Sequence, residues 1–359
     1  MNREKLNVAI VGLGFGKEFI PIYQNHPNTN MYALCQRTKD KLDEVGNQYN
    51  ISQRYDNFEH LIHDLNGDAI HINSSIDLHA CQTIAALKAG KHVACTVPSA
   101  TTIEACREIV DAAQAACKNY MMMETAIYTR EFLFVRELRD SGKLGRIQFM
   151  RGAHQQEMRG WPGYWEGISP MHYATHAVSP CFALVHGEAE YVSCFGSGRI
   201  EDWLVAKHKS PFAVESALFK VRNQDLAFEV TRSLFETARQ YIESLDVYGD
   251  NAAFERSQIE GEQPVIHFGE EPKRVTVQDY GWLLLEQIRR FTTKGVYDEE
   301  NTHLSFVQGG GHGGSHPHLV HEFVSSIIES RPSFPDVYQS VNWTCAGICA
   351  HESAMQKGQ

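Results

Sequence analysis

Asn7-Val8-Ala9-Ile10-Val11-Gly12-Leu13-Gly14-Phe15-Gly16-Lys17 is a short apolar run that breaks into three closely spaced glycines and continues into a helix-like stretch from Glu18. A buried strand that ends in glycines and reopens as a helix offers backbone N–H groups and a helix N-terminus to a pyrophosphate. Glycines after a buried strand also make plain turns. The third glycine here comes one residue early, with Lys17 where the usual spacing has Gly or Ala. The flanking chain chooses between the two readings.

Outward from this turn, short β-branched runs alternate with helical ones as far as residue 124. Val8 to Val11, Met31 to Cys35, Ala69 to Asn73, His92 to Thr96 and Tyr120 to Glu124 read as strands. Lys39 to Gln48, Asn57 to Asp64, Leu78 to Ala89 and Ile103 to Ala116 read as the helices between them. Thr101 and Thr102 with Glu104 and Ala105 start the last helix with capping chemistry, and Gly90 ends the one before. Five strands with four crossovers predict one doubly wound parallel domain over 1–124.

Past residue 125 the texture changes. Tyr128 to Ser141 reads as one more helix. Then come long alternating runs: Ile147 to Gln156, Glu190 to Gly198, Ala213 to Arg222, Leu226 to Phe235, Tyr241 to Tyr248 and Ala253 to Gln258. Asn223-Gln224-Asp225 joins two of them as a hairpin. The pattern predicts an α+β domain over 125–359 built on a large, mostly antiparallel open sheet with one covered face. His172 to His186, His318 to Ile328 and Gln339 to Met355 are helices expected to interrupt or close that sheet.

Composition narrows the function. The formal net charge of −11, with Lys and Arg scattered, argues against a nucleic-acid surface. No run reaches the roughly 20 apolar residues of a membrane span. Nine cysteines are an odd count. Cys81, Cys95, Cys106, Cys117 and Cys181 sit in apolar or helical runs where a reduced thiol packs as a small hydrophobe, and Cys345 with Cys349 lacks the second pair of a zinc site. With a core strand almost at the N-terminus, the expected home is the cytoplasm.

Two further stretches carry a resemblance. One is Asp68-Ala69-Ile70-His71-Ile72-Asn73-Ser74-Ser75-Ile76-Asp77-Leu78-His79; the other runs Ala86-Leu87-Lys88-Ala89-Gly90-Lys91-His92-Val93 and on to Thr96-Val97-Pro98. Together they resemble the Gfo/Idh/MocA family, the glucose-fructose oxidoreductase and inositol dehydrogenase group, which carries D-x-V-x-I-x-T-P-x-x-x-H, A-L-x-A-G-K-H-V and usually E-K-P. The resemblance covers the first domain and implies a Rossmann domain binding NADP or NAD, a carbohydrate substrate, and a homo-oligomer (dimer or tetramer) formed through the second sheet. It places the cofactor against Gly12, Gly14, Phe15, Gly16, Gln36, Arg37, Ser74, His79, Thr96, Pro98 and Glu124. Gln36 stands where an acidic side chain normally accepts the ribose hydroxyls of NAD, and a neutral amide beside Arg37 tolerates a 2′-phosphate. Arg37, Lys39 and Lys41 also read simply as a solvated helix start.

The departure from the family pattern is informative. Its dehydrogenases reach the substrate hydroxyl with the lysine of E-K-P, and Val97 can neither donate nor accept a proton. The replacement candidates are Tyr173 and His176, spaced i, i+3 so that a helix puts them on one face. His176 aligns with the histidine the family keeps near the reacting carbinol. Tyr-x-Thr-His-x-x-x-Pro, with Val97-Pro98, Met121-Met122-Met123-Glu124 and Tyr128, resembles the branch holding NAD-dependent α-N-acetylgalactosaminidases, which oxidise, eliminate, hydrate and reduce in turn.

The reading is therefore an oxidoreductase moving hydride between a sugar ring carbinol and the nicotinamide. A redox-neutral glycosidase is the alternative, and a non-catalytic NAD(P) sensor a second one. Tyr128, Arg130, Gln156, Trp161, His172 and His312 are the substrate candidates, and Arg159, Tyr164 and Trp165 share the aromatic loop. Glu124 reads equally as a catalyst and as a buried, hydrogen-bonded carboxylate holding Tyr128 or Arg130. No metal is assigned, although His312, His316, His318 and His321 fall within ten residues.

Overall fold

The computed structural model describes residues 5–159, 163, 166–239, 241–259, 261–293 and 312–359. The chain divides into two compact units. Described residues up to Met123, with 281–293 and 316–341, form the first; Glu124–Tyr280, with 312–315 and 342–359, form the second. The chain passes from the first unit to the second between Met123 and Glu124 and returns to the first at 281–293 and 316–341.

The first unit is a six-stranded parallel sheet: β1 Leu6–Val11, β2 Thr29–Cys35, β3 Gln53–Tyr55, β4 Ala69–Ile72, β5 His92–Cys95 and β6 Tyr120–Met122, in the order β3-β2-β1-β4-β5-β6. β1 and β4 lie side by side where the strand order reverses, the crevice at which such sheets bind ligands. The crossovers are α1 Ile20–Asn25, α2 Lys39–Gln48, α3 Phe58–Ile62, α4 His79–Lys88 and α5 Ile103–Ala116. Thr102 caps α5 by accepting from the Ala105 N–H at 3.1 Å, worth about 1 kcal/mol.

Several expectations need correction. The sheet has a sixth strand, β3, whose three residues are half-exposed or exposed and so lack an apolar signature. The helix-like run from Glu18 is a 3₁₀ turn, Gly16–Phe19, that passes into the short α1. The helix His316–Ile328 packs in the first unit, its His316 ring 4.8 Å from Phe19 and its Ser326 Oγ accepting from Asn119 Nδ2 at 2.9 Å. All nine cysteines are free thiols, but Cys81 and Cys117 are exposed instead of packed. No helix among the described residues is long and apolar enough to cross a membrane.

The second unit opens with α6 Arg130–Asp140, capped by Thr129 Oγ1 accepting from Phe132 N at 3.2 Å. Its sheet has eight strands: β7 Ile147–Gln155, β8 Ala189–Ser197, β9 Val214–Val221, β10 Ala227–Ser233, β11 Ile242–Gly249, β12 Ala253–Glu255, β13 Val265–His267 and β14 Pro272–Arg274. The order is β14-β13-β12-β11-β7-β10-β9-β8, antiparallel except for β7 with β10. The last two strands have no counterpart in the sequence reading; each has only three residues, and β14 is fully exposed.

Period-two alternation turns one face of β9, β10, β7 and β11 inward, in register. Phe219, Phe228, Met150 and Val247 make one row, and Ala217, Val230, Gly152 and Leu245 the next. The helix α7 Thr175–Val185 lies on this face: Phe182 meets the Phe228 ring edge-on at 4.8 Å, and Phe228 stacks on Phe219 at 5.1 Å. Burying each ring contributes roughly 1.5–3 kcal/mol. Gly152 permits the approach, since a Cβ there would stand 2.2 Å from the Ala177 carbonyl oxygen.

Candidate active site

In the first unit the glycines divide their tasks. Gly12 adopts φ +83°, and an added Cβ would meet the Asn73 carbonyl oxygen at 2.3 Å; its N–H donates to Cys35 O at 3.0 Å. A Cβ on Gly16 would press on Ile10 at 2.8 Å, whereas nothing lies within 4 Å of one on Gly14. Gly12 and Gly16 thus let the chain turn against its own sheet, and exposed Gly14 leaves the open space through which a phosphate approaches backbone. Gln36 fixes the turn by accepting from Leu13 N at 3.0 Å, and Arg37 beside it is exposed. These residues fit a dinucleotide.

Around the turn, His79 is buried, with Nδ1 2.8 Å from Pro98 O and Nε2 3.1 Å from Ser74 O and 3.4 Å from Thr96 Oγ1. It ties together the loops that carry Ser74, Thr96 and Pro98, and burial lowers its pKa. Ser74 Oγ also donates to Gln82 at 2.5 Å. Phe15 packs edge-on against Phe19 at 5.3 Å and His316 at 5.5 Å.

In the second unit the inward face of the sheet turns polar at its third row. Glu215, Arg232, His154 and Glu243 are direct cross-strand neighbours on β9, β10, β7 and β11, and all four are buried. His176, in the first turn of α7, meets this row: its ring lies 5.0 Å from that of His154 and 5.4 Å from that of Tyr173. His176 Nδ1 stands 2.5 Å from Glu124 Oε1, with both side chains almost wholly buried. Glu124 Oε1 also accepts from Ala126 N at 3.0 Å, so the carboxylate is itself held. Glu124 therefore orients the imidazole and leaves its Nε2 to face the row.

Arg232 is the buried cation of the cluster. It donates to the carbonyls of Tyr173 (2.9 Å), His154 (2.9 Å) and Ser233 (2.5 Å) and to Gln156 Oε1 (3.0 Å), and its carbon lies 5.5 Å from the Tyr173 ring centroid. Burial depresses its pKa to about 10. Glu243 accepts from the Tyr241 hydroxyl and lies 3.9 Å from His312 Nε2. Burial opposes ionisation of Glu243, but His176, His312 and the Tyr241 hydrogen bond outweigh it and lower its pKa.

His176 shows the opposite balance. Burial pushes its pKa down, yet the charges of Glu124 and Glu243 prevail and raise it. Two carboxylates and one guanidinium make an environment that favours added positive charge at His176. His154, deep beside Arg232, is instead held well below the ordinary imidazole range, first by burial and then by Arg232.

The sequence candidates therefore separate. Tyr173, His176, Gln156, His312 and Glu124 converge in the second unit, Gln156 as a brace on Arg232 and Glu124 as a brace on His176. Tyr128 is buried ahead of α6, and Arg130 reaches the Gly313 carbonyl at 3.5 Å. His172 turns elsewhere: its ring packs 4.9 Å from His351, which bonds Glu215 at 2.6 Å, and burial lowers its pKa to about 4. Trp161, Tyr164 and Trp165 lie outside the described residues. Of the histidine run, His312 joins this cluster, its ring 6.0 Å from that of His176, whereas His321 Nδ1 stands 3.2 Å from His26 Nε2 in the first unit. His154, Arg232, Tyr241 and Glu243 are site residues that the sequence reading passed over. Their signal was the continuation of apolar alternation, as in Phe228-x-Val230-x-Arg232, into a charge on the covered face.

Residues 6–124 match the family model described as "Oxidoreductase family, NAD-binding Rossmann fold", GFO_IDH_MocA. Over these residues the chain is similar to the NAD-binding domain of the Gfo/Idh/MocA oxidoreductases. Likeness of fold extends across the chain: an NAD binding oxidoreductase from Klebsiella pneumoniae matches with a TM-score of 0.80 at 17% identity, over 98% of this chain and 97% of its own. The scyllo-inositol dehydrogenase of Lactobacillus casei, solved with NAD(H) and scyllo-inositol, matches with a TM-score of 0.74 at 17% identity, over 99% and 98% of the two chains. Among curated relatives, an α-N-acetylgalactosaminidase of Shewanella oneidensis is 25% identical over 308 residues, 80% of this chain. The match spans 66% of that relative's length.

Proposed function

We propose that this protein oxidises a ring carbinol of a sugar or sugar derivative, with Tyr173 and His176 receiving the hydroxyl proton. The observation that carries the reading is the buried His176–Glu124 contact at 2.5 Å, which holds an imidazole of raised pKa beside Tyr173. A bound nicotinamide supplies acceptance of the hydride; every other task falls to this chain. The Tyr173 hydroxyl binds the carbinol oxygen and relays its proton to His176 Nε2. Glu124 and Glu243 stabilise the imidazolium that results, and Arg232 holds the Tyr173 backbone in place. Tyr173→Phe and His176→Ala are expected to lower turnover at least ~10²-fold with cofactor affinity retained. Either variant turning over at the wild-type rate refutes the assignment.

A second reading is favoured by the name of the Shewanella oneidensis relative: a redox-neutral glycosidase in which the hydride returns to the sugar after the aglycone leaves. Aglycone release with no net accumulation of reduced cofactor, and exchange of the sugar's C2 hydrogen with solvent deuterium, identifies it.

For the cofactor we infer that Gln36 and exposed Arg37 admit NADP as well as NAD. Tryptophan-fluorescence titration is expected to show NADPH binding that weakens in Arg37→Ala; NADH binding much tighter than NADPH in the wild type contradicts it. The outer face of β8 and β9, which exposes Tyr191, Phe195 and Leu218, supports self-association through this sheet. Light scattering reports the dimer or tetramer.

A further inference from the structure

We infer that His154, His176 and Glu243 form a binding site for one divalent transition metal ion of the zinc class. One ligand atom from each lies within 4.8 Å of the other two, and all three side chains are buried. Ligands on a tetrahedral zinc stand roughly 3.4 Å apart, given bonds of about 2.0–2.1 Å, so side-chain rotation of about an ångström closes the set. Two imidazoles and a carboxylate are the donor set of an open zinc or ferrous site.

The independent observation is His154. The residue is 1% exposed, and neither Nδ1 nor Nε2 has a hydrogen-bond partner among the described residues. A buried imidazole with both nitrogens unmet carries a desolvation penalty at each, and coordination through one nitrogen removes it at that atom. The other two ligands are already oriented in the manner of metal sites. Glu124 engages His176 Nδ1 and frees Nε2, and the Tyr241 hydroxyl donates to Glu243. His312, with Nε2 3.9 Å from Glu243, borders the fourth position, which water or a substrate hydroxyl otherwise completes.

The inference stands apart from the sugar-oxidation reading, because binding is measured with neither sugar nor cofactor. The two meet at one atom: metal and substrate proton compete for His176 Nε2, so loaded protein uses the Tyr173–His176 route less.

The test is titration of tag-free, chelator-stripped full-length protein with Zn²⁺ in competition with a chromogenic chelator, and with Co²⁺ followed in the visible. One tight equivalent per chain is expected, with cobalt d–d bands of a low-coordinate nitrogen/oxygen site. Zinc affinity should fall more than ~100-fold in His154→Asn and Glu243→Gln and about 10–100-fold in Glu124→Gln, where a partner of a ligand is altered instead of a ligand. Each variant is compared at matched circular dichroism, and Glu124→Gln retains all three ligands if one of the others folds poorly. Absence of saturable binding, or zinc binding and cobalt bands unchanged in His154→Asn and Glu243→Gln, overturns the site.

Discussion

Glu124→Gln isolates the electrostatic part of the proposed proton acceptor, since it keeps the shape of the side chain and deletes its charge. In the wild type the carboxylate stands 2.5 Å from His176 Nδ1, with side-chain exposures of 0% and 4%. A hydrogen bond to a charged group in such a place contributes about 1.5–3 kcal/mol. That stabilisation is greatest as the imidazolium forms, so its loss from the barrier corresponds to about 10- to 150-fold in kcat. The pH profile should move as well. Burial lowers the pKa of His176, but Glu124 and Glu243 raise it above the ordinary 6.5, and the acceptor is the neutral ring. Wild-type kcat/KM therefore rises with pH along a limb set by this raised pKa. In the variant burial faces less opposition and the limb moves to lower pH. The assay is the pH dependence of sugar-driven cofactor reduction for both proteins, with cofactor affinity checked by fluorescence. A rate within about threefold of wild type, or a limb that stays where it was, refutes the role given to Glu124.

Gly12→Ala should cost at least about 1–2 kcal/mol of stability from the left-handed backbone alone. Because its Cβ would meet Asn73 O at 2.3 Å, the turn must also move and nucleotide affinity should fall. Thermal unfolding and NADH titration check this, and an unchanged midpoint with unchanged affinity contradicts it. Acid should destabilise the first unit before its carboxylates titrate. His26 and His71 are buried and neutral, with pKa values lowered to about 4 and about 3 by burial. The unfolded chain therefore takes up protons first. Stability is complete above the unfolded value near 6.5 and is lost as pH falls from there toward the folded values, by up to about 1.4 kcal/mol per pH unit for each ring. Urea unfolding that shows no loss between pH 7 and pH 5 contradicts the neutral buried histidines.

What the sequence revealed followed from how strongly each residue's neighbours constrained it. The helices Lys39–Gln48 and Ile103–Ala116 matched end to end, the second because Thr102 both reads as a cap and acts as one. The strand Gln53–Tyr55 stayed hidden because an edge strand of three polar or half-exposed residues has no apolar period to detect. Helix His316–Ile328 was recognised as a helix but given to the wrong sheet, since amphipathicity says that a face is covered and not by what. At the candidate site, Tyr173 and His176 were legible through their spacing on one helix face. Arg232, His154 and Glu243 were not, because their meeting is set by strand register: β7 lies between β10 and β11, far from either in sequence. Glu124 was expected beside the cofactor or bonded to Tyr128 or Arg130. In the structure it bonds His176, a long-range contact that no local pattern encodes.

Single-turnover mixing of the protein, its bound cofactor first identified and fully oxidised, with a panel of sugars and aryl glycosides tests the central claim most directly. The account predicts that at least one compound produces a transient of reduced-nicotinamide absorbance, lasting in a net dehydrogenase and decaying as aglycone is released in a redox-neutral glycosidase. The same transient should be at least ~10²-fold slower in Tyr173→Phe. Cofactor that stays oxidised with every compound, or a transient of unchanged rate in that variant, contradicts it.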